Sequence, residues 1–74
     1  MNIERLKDIR EDRDYNQEDI AKLLKVTQAQ YNRYENGVNS MPIEKYSTLA
    51  DFYNTSVDYL IGRTDVKEPY KKRN

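Results

Sequence analysis

Apolar residues recur at helical spacing near the start of the chain, with charged residues between them. Ile3, Leu6 and Ile9 form one stripe, which predicts a first helix from Asn2 to Arg13. Charged residues of both signs occupy the remaining positions, as is typical of a helix face in contact with water. The chain therefore begins with an amphipathic helix that packs one side against a core.

Two further helices are predicted with a very short connection between them. Asn16 is a typical N-cap, and the apolar positions after it predict a second helix over residues 17–24. The third helix is expected to begin at Thr27, where the sequence has the form of a capping box, and to end at Glu35 or Asn36 before a glycine. The predicted inward side chains are Ile20, Ala21, Leu23 and Leu24, then Tyr31 and Tyr34. So short a connection, about three residues, is typical of a helix-turn-helix arrangement.

The second half of the chain predicts two more helices. Pro42 suits the first turn of a fourth helix, which Asn54 and Thr55 end. Ser56 is a typical N-cap for a short fifth helix that stops at Gly62. The predicted inward residues are Ile43, Tyr46, Leu49, Ala50 and Tyr53, then Val57, Leu60 and Ile61. The pattern thus predicts an all-α domain of five helices.

The end of the chain differs in composition from the rest. After Arg63 only Val66 and Tyr70 are apolar, Pro69 opposes a helix, and three adjacent basic residues repel one another. We therefore expect one domain, residues 1–64, followed by a mobile basic tail, residues 65–74.

Length and composition exclude most catalytic chemistry. The chain has 74 residues, enough for one small domain with a single core. It contains no cysteine and no histidine, which removes disulfides, thiolate nucleophiles, the commonest general base and the commonest zinc ligands. We therefore expect no enzymatic activity, no catalytic residue, no metal, no cofactor and no small-molecule ligand.

Neither a membrane span nor a secretion signal is visible along the chain. No apolar run approaches the roughly 20 residues that cross a bilayer, and the N-terminus lacks a charged segment followed by an apolar one. We therefore expect a cytoplasmic protein without a membrane partner. The 13 basic residues balance 13 acidic residues, so the net charge of 0 says less about partners than the local distribution of charge does.

The outer face of the predicted third helix has an unusual set of side chains. Gln28, Ala29, Asn32 and Arg33 lie away from the two tyrosines of that helix. Glutamine and asparagine pair with adenine, arginine pairs with guanine, and an alanine methyl contacts the thymine methyl, so the set suits base edges in the major groove. The alternative is a polar helix face without a partner, since such residues are common on protein surfaces.

The chain resembles the phage repressor and Cro-type (XRE-like) helix-turn-helix family over roughly residues 3–64. The resemblance rests on these stretches: NQEDIAKLL at 16–24, VTQ at 26–28, YNRYENG at 31–37, Pro42, Leu49-Ala50 and SVDYLIG at 56–62. It implies a five-helix lambda-repressor-like fold that binds double-stranded DNA with the third helix in the major groove. It further implies a transcriptional regulator, most often a repressor, that acts as a homodimer on a two-fold operator.

The resemblance also implies contacts with the DNA backbone. Gln17, at the start of the second helix, would bind a phosphate with its side chain and with the free amides of the helix end. The full set of implied backbone contacts is Asn16, Gln17, Thr27, Asn36, Asn39 and Ser40, and Asn32 is implied to lie near a base or a phosphate. For Thr27 and Asn36 the roles of N-cap and C-terminal stop are equally open, and one residue can serve both.

Three further features follow from the resemblance. Arg10 and Glu35 match positions where the family often has an ion pair, although two unrelated surface charges are the alternative. Lys25 and Asn54 stand where glycine is usual, and the two tyrosines of the third helix replace aliphatic residues, so their hydroxyls need water or a partner. The candidates for a dimer surface are Tyr53, Val57, Tyr59 and Ile61, each of which is alternatively a core residue.

A second function stays open from the sequence. A protein-interaction module, such as an antitoxin or an antirepressor, would use the same fold to bind another polypeptide. An apolar exposed face on the third helix would favour that function, whereas a polar face favours DNA.

Overall fold

The computed structural model describes residues 4–69, and within that range it contains five α-helices and no strand. The helices are α1 Glu4–Asp12, α2 Gln17–Leu24, α3 Gln28–Glu35, α4 Ile43–Tyr53 and α5 Val57–Leu60. The prediction of an all-α, five-helix fold is confirmed, and the helix bounds differ by about one residue from those expected. The predicted start of the first helix at Asn2, with Ile3, lies outside the described residues.

Side-chain caps begin three of the helices. Asn16 accepts a hydrogen bond from the backbone of Asp19 at 2.8 Å, and the Asp19 carboxylate accepts one from the backbone of Asn16 at 3.1 Å. Thr27 accepts from the backbone N–H of Gln30 at 3.1 Å, and Ser56 caps α5 in the same way at 3.0 Å. Each cap satisfies an N–H that the helix leaves unpaired, so the start of each helix is determined locally.

One apolar core joins the helices. Its members are Leu6, Ile9, Ile20, Ala21, Leu24, Tyr31, Tyr34, Met41, Tyr46, Leu49, Ala50, Tyr53 and Leu60. The prediction of Ile43 as an inward residue was wrong, because Ile43 is 60% exposed in the first turn of α4. Met41, which lies in the loop before α4 and was not predicted as an inward residue, is only 7% exposed. The core thus includes a residue before α4 but not the first residue of that helix.

The turn between α2 and α3 contains a residue in the left-handed conformation. Lys25 has φ 59° and ψ 41° and occupies the position where the resemblance leads one to expect glycine. The backbone N–H of Val26 donates to the carbonyl of Ala21 at 3.0 Å, and the Lys45 ammonium donates to the carbonyl of Leu24 at 3.0 Å. These bonds satisfy carbonyls at the end of α2, and α3 begins after three intervening residues.

We expect Lys25→Gly to stabilise the fold by about 1 kcal/mol. A residue with a Cβ atom costs about 1–2 kcal/mol in this conformation, and the greater freedom of glycine in the unfolded chain offsets part of that gain. Asn54→Gly is the matched control, because Asn54 has φ 55° but asparagine tolerates it, so only a few tenths of a kcal/mol are expected. Denaturant unfolding of the three proteins measures both changes. Equal gains at the two positions would contradict a strained Lys25.

The segment that follows α5 packs back onto the domain. Arg5 on α1 donates to the carbonyl of Thr64 at 3.0 Å and to the carboxylate of Asp65 at 2.6 Å. The Thr55 hydroxyl donates to the carbonyl of Lys67. These contacts reach into residues 65–74, where the sequence predicts a mobile tail; residues 70–74, with the basic Lys71, Lys72 and Arg73, lie outside the described part.

Candidate nucleic-acid interface

Helix α3 separates a buried side from an exposed polar side. Its two tyrosines, which the sequence predicts as the inward face, are 0% and 8% exposed. None of the four predicted base-contacting residues packs inward, and all four are exposed: Gln28, Ala29, Asn32 and Arg33. The face therefore presents amide, methyl and guanidinium groups to the outside without an apolar patch.

The start of α2 lies beside this face of α3. Gln17, Gln28, Ala29, Asn32 and Arg33 line one open depression on the surface. Gln17, the predicted phosphate contact, is half-buried and lines this depression together with the four predicted base contacts. The short turn between the helices produces this arrangement, because it fixes where α3 leaves the end of α2.

The Arg33 side chain is hydrogen-bonded to Gln30 on the same helix, a contact that the sequence did not predict. Its Nη1 atom donates to Oε1 of Gln30, one turn earlier, at 3.4 Å. Gln30 fits the Ser/Thr-x-x-Glu/Gln form, but its side chain accepts from Arg33, and the hydrogen bond to the Thr27 side chain comes from the Gln30 backbone N–H. Most of the donors of the Arg33 guanidinium stay available to a ligand.

The predicted backbone-contacting residues surround the two ends of α3 and the start of α2. Asn16 and Thr27 are exposed N-caps, and Asn36 is the exposed C-cap residue of α3. The backbone of Asn39 donates to the carbonyl of Arg33 at 3.3 Å, so the loop after α3 turns back beside the helix end. Ser40 is exposed in the same loop. The structural roles of Thr27 and Asn36 leave their side chains accessible.

Arg10 and Glu35 form a buried ion pair that joins α1 to the end of α3. Arg10 donates from Nε and Nη2 to the two Glu35 carboxylate oxygens at 2.9 and 2.8 Å. The two residues are only 8% and 5% exposed. Arg10 also donates from Nη1 to the carbonyl of Tyr15 at 2.9 Å, which ties the α1–α2 connection to the same pair. The two charges are therefore structural partners and not unrelated surface charges.

The ion pair shifts the pKa of both partners. The hydrogen bond with Glu35 raises the pKa of the Arg10 guanidinium, although burial opposes it. Burial alone raises the pKa of the Glu35 carboxyl, but the hydrogen bonds and charge of Arg10, with a hydrogen bond from Gln17, outweigh it, so this pKa lies below its ordinary value of 4.5. Burial, and then the charge of Glu35, raise the pKa of the Tyr31 hydroxyl. At neutral pH the pair is ionised and the tyrosine is neutral.

Acid is expected to destabilise the fold through Glu35. The pKa of Glu35 is lower in the folded chain than in the unfolded chain. Its contribution to the free energy of unfolding is therefore complete above about pH 5 and is lost as the pH falls through the folded-state pKa. Thermal unfolding of the wild type from neutral to acidic pH measures that loss. A double variant, Arg10→Met with Glu35→Leu, has no ionisable group at either position and should lack this part of the pH dependence. Identical pH profiles for the two proteins would contradict the direction given for Glu35.

The candidate dimer residues do not share one environment. Tyr53 is 0% exposed, so its prediction as a dimer-surface residue was wrong and it is a core residue, which was the alternative. Val57, Tyr59 and Ile61 are half-buried. The guanidinium of Arg5 lies 4.1 Å from the centre of the Tyr59 ring, which covers part of that side chain. Val57 and Ile61 are left as the apolar candidates near the end of the domain.

Residues 4–69 contain no candidate metal site and no candidate membrane span. No group of three His, Cys, Asp or Glu side chains in that range is placed to hold a metal ion. None of the helices in that range combines the length and the apolar character that a bilayer crossing requires.

The chain is similar in sequence to known proteins of one family. A helix-turn-helix family model matches residues 6–60. The chain is 32% identical over 73 residues to the uncharacterized HTH-type transcriptional regulator YobD of Bacillus subtilis (strain 168), with 99% of this chain and 65% of that protein covered. It is 32% identical over 68 residues to the HTH-type transcriptional regulator AnsR of the same organism, with 92% and 59% covered.

A phage protein is similar to the same degree. The cryptic phage CTXphi transcriptional repressor RstR of Vibrio cholerae is 32% identical over 71 residues, with 93% of this chain and 64% of the repressor covered. The chain thus spans about three fifths of the length of these relatives. No solved structure matches the chain at a significant level.

Proposed function

Because the chain belongs to the helix-turn-helix family, whose model covers residues 6–60, we propose that it binds duplex DNA and regulates transcription as a repressor. In this proposal α3 enters the major groove, where each of the four kinds of base pair presents a different pattern of hydrogen-bond donors and acceptors. One observation carries the proposal: the side chains on the exposed side of α3 suit base edges and lie beside the start of α2. In this proposal the protein has no catalytic role, and it works in the cytoplasm.

The residues divide into two classes of contact. Gln28, Ala29, Asn32 and Arg33 would contact base edges, which discriminate between sequences. The residues that would contact phosphate and sugar, and so fix the register of the helix, are Asn16, Gln17, Thr27, Asn36, Asn39 and Ser40. All of these residues except the half-buried Gln17 are exposed, and they lie at the start of α2, at the two ends of α3 and in the loop after α3, which supports this division.

The protein is proposed to bind as a homodimer on a two-fold operator. Helix α3 has eight residues and reaches only a few base pairs, so a specific site takes two copies on half-sites about 10–10.5 base pairs apart, or a multiple of that spacing. Val57 and Ile61 are half-buried near the end of the domain, which leaves apolar side chains that a second copy would cover. Sedimentation of the complex with a selected duplex should give two chains per duplex.

The alternative function, a protein-interaction module, predicts a different surface. Such a module needs an apolar centre to its interface, whereas the outer side of α3 presents two amides, one methyl and one guanidinium. The polar character of this face therefore favours DNA over another polypeptide.

A titration with random-sequence duplexes separates the two functions. We expect the wild type to retard labelled duplexes at low salt, because phosphate contacts do not depend on sequence. Arg33→Glu should lose at least about tenfold in affinity, since a carboxylate would face phosphates and base acceptors.

Arg63→Glu is the matched control for this titration. It makes the same change in net charge on a side chain that is 74% exposed in the turn after α5. That variant should bind DNA nearly as the wild type does. If no protein binds, the interaction module becomes the better candidate; if all three bind alike, the interface is not α3.

A further inference from the structure

Three side-chain amides connect the surface of α3 to the buried ion pair. Gln17 donates from Nε2 to Oε1 of Glu35 at 3.4 Å. Asn32 donates from Nδ2 to Oε1 of Gln17 at 3.2 Å, and Asn36 donates from Nδ2 to Oδ1 of Asn32 at 3.0 Å. Every amide in this chain therefore points its N–H toward Glu35 and its carbonyl away from it.

The charge of Glu35 determines the direction of the amide chain. An ionised carboxylate accepts hydrogen bonds and cannot donate them, and the bidentate contact with Arg10 keeps Glu35 ionised. If the Gln17 amide were reversed, its oxygen would face the carboxylate and its nitrogen would face the nitrogen of Asn32. Both contacts are repulsive, so the orientation of Gln17 is fixed from the core side, and that of Asn32 follows from it.

The hydrogen bonds leave Asn32 with the groups that a base contact needs. A side-chain amide has two N–H donors and two acceptor lone pairs. Asn32 uses one donor toward Gln17 and one lone pair toward Asn36. One N–H and one lone pair remain, the number that a bidentate contact with adenine requires. An exposed asparagine without these neighbours would have to be ordered when it binds, which weakens the contact.

We propose that Gln17 is a positioning residue that sets the base preference of Asn32, through the direction imposed by Glu35. This inference rests on the proposed function, since it concerns how the DNA-binding face discriminates between sequences. If Gln17 only contacted a phosphate, its replacement would lower the affinity for all sequences equally; a positioning role predicts a loss of preference at one base pair. Gln17 retains a second N–H, so it can bind a phosphate and hold Asn32 at the same time.

The test compares base preferences selected from a random pool of duplexes. The wild type and Asn32→Ala first identify the base pair whose preference depends on Asn32. Gln17→Met keeps the length of the side chain but removes both hydrogen bonds, and it should weaken discrimination at that same base pair roughly two- to tenfold. The double variant Gln17→Met/Asn32→Ala should show the profile of Asn32→Ala without further loss at that base pair.

Asn39→Ala is the control for an ordinary backbone contact. Asn39 lies outside the amide chain, so its replacement should weaken binding to all duplexes alike. A second readout uses the protein without DNA: in nuclear magnetic resonance spectra, Gln17→Met should shift the side-chain NH2 signals of Asn32, whereas Asn39→Ala should not. This readout also shows that the variant is folded.

The outcomes separate the inference from the function on which it rests. If Gln17→Met keeps the preference that depends on Asn32 and lowers all affinities equally, Gln17 is a phosphate contact only and the positioning role is wrong. Unshifted Asn32 signals in Gln17→Met, or unchanged selection by Asn32→Ala, overturn it as well. If the wild type selects no sequence, the proposed function itself fails together with the inference.

Discussion

Glu35→Ala is expected to unfold much of the protein at temperatures where the wild type is folded. The variant leaves the Arg10 guanidinium buried, at 8% exposed, without the carboxylate that accepts two of its three hydrogen bonds. Removing one partner of a buried pair costs about 3–5 kcal/mol, a large part of the total stability of so small a domain. For a chain of this size such a loss lowers the melting temperature by on the order of 20 °C, which circular dichroism measures directly.

Two variants test whether the loss comes from the unpaired charge. Glu11→Ala, on an exposed glutamate next to Arg10 in sequence, should change the free energy of unfolding by about 0.5 kcal/mol or less. Arg10→Met combined with Glu35→Leu removes both charges, and it should recover a large part of the stability that Glu35→Ala loses. A Glu35→Ala protein as stable as Glu11→Ala would show that the pair is not structural.

Arg33→Ala is expected to reduce DNA affinity and to relax the preference at one base position. Arg33 is exposed on α3, and its single side-chain contact within the described chain, to Gln30 at 3.4 Å, leaves its guanidinium free for the two acceptors of a guanine. Such a contact contributes about 1–3 kcal/mol, or roughly 5- to 150-fold in affinity for the selected duplex. Selection from a random pool, followed by titration of the best duplex, gives both quantities.

The loss should depend on the sequence of the duplex. On duplexes that lack the preferred base pair, Arg33→Ala should bind almost as the wild type does, apart from the loss of one positive charge. Arg63→Ala removes a charge outside α3 and should leave the selected sequence unchanged. An equal loss from Arg33→Ala on every duplex would make Arg33 a phosphate contact.

Local chemistry explains why so much of the fold was predictable. Asn16, Thr27 and Ser56 each accept a hydrogen bond from the backbone N–H three residues further on, so the helix starts depend on a few adjacent residues. The buried tyrosines of α3 follow from helical spacing alone, and that spacing leaves the polar residues between them on the outside.

Contacts between distant residues explain what the sequence did not predict. Met41 is buried and Ile43 is exposed, and neither follows from the helical spacing of apolar residues along α4. The bond from Lys45 to the carbonyl of Leu24 joins residues 21 positions apart, and a lysine in an amphipathic helix gives no sign of it. The amide chain from Asn36 to Glu35 likewise depends on how α3 lies against the start of α2.

The entry of α3 into the major groove is tested most directly by mapping backbone amide shifts when a selected duplex is added to the isotopically labelled protein. The largest shifts are expected at the start of α2 and along α3, including Gln17, Gln28 and Arg33, with small changes in α4. Shifts confined to α4 and α5, with α3 unchanged at saturation, would contradict a recognition role for α3.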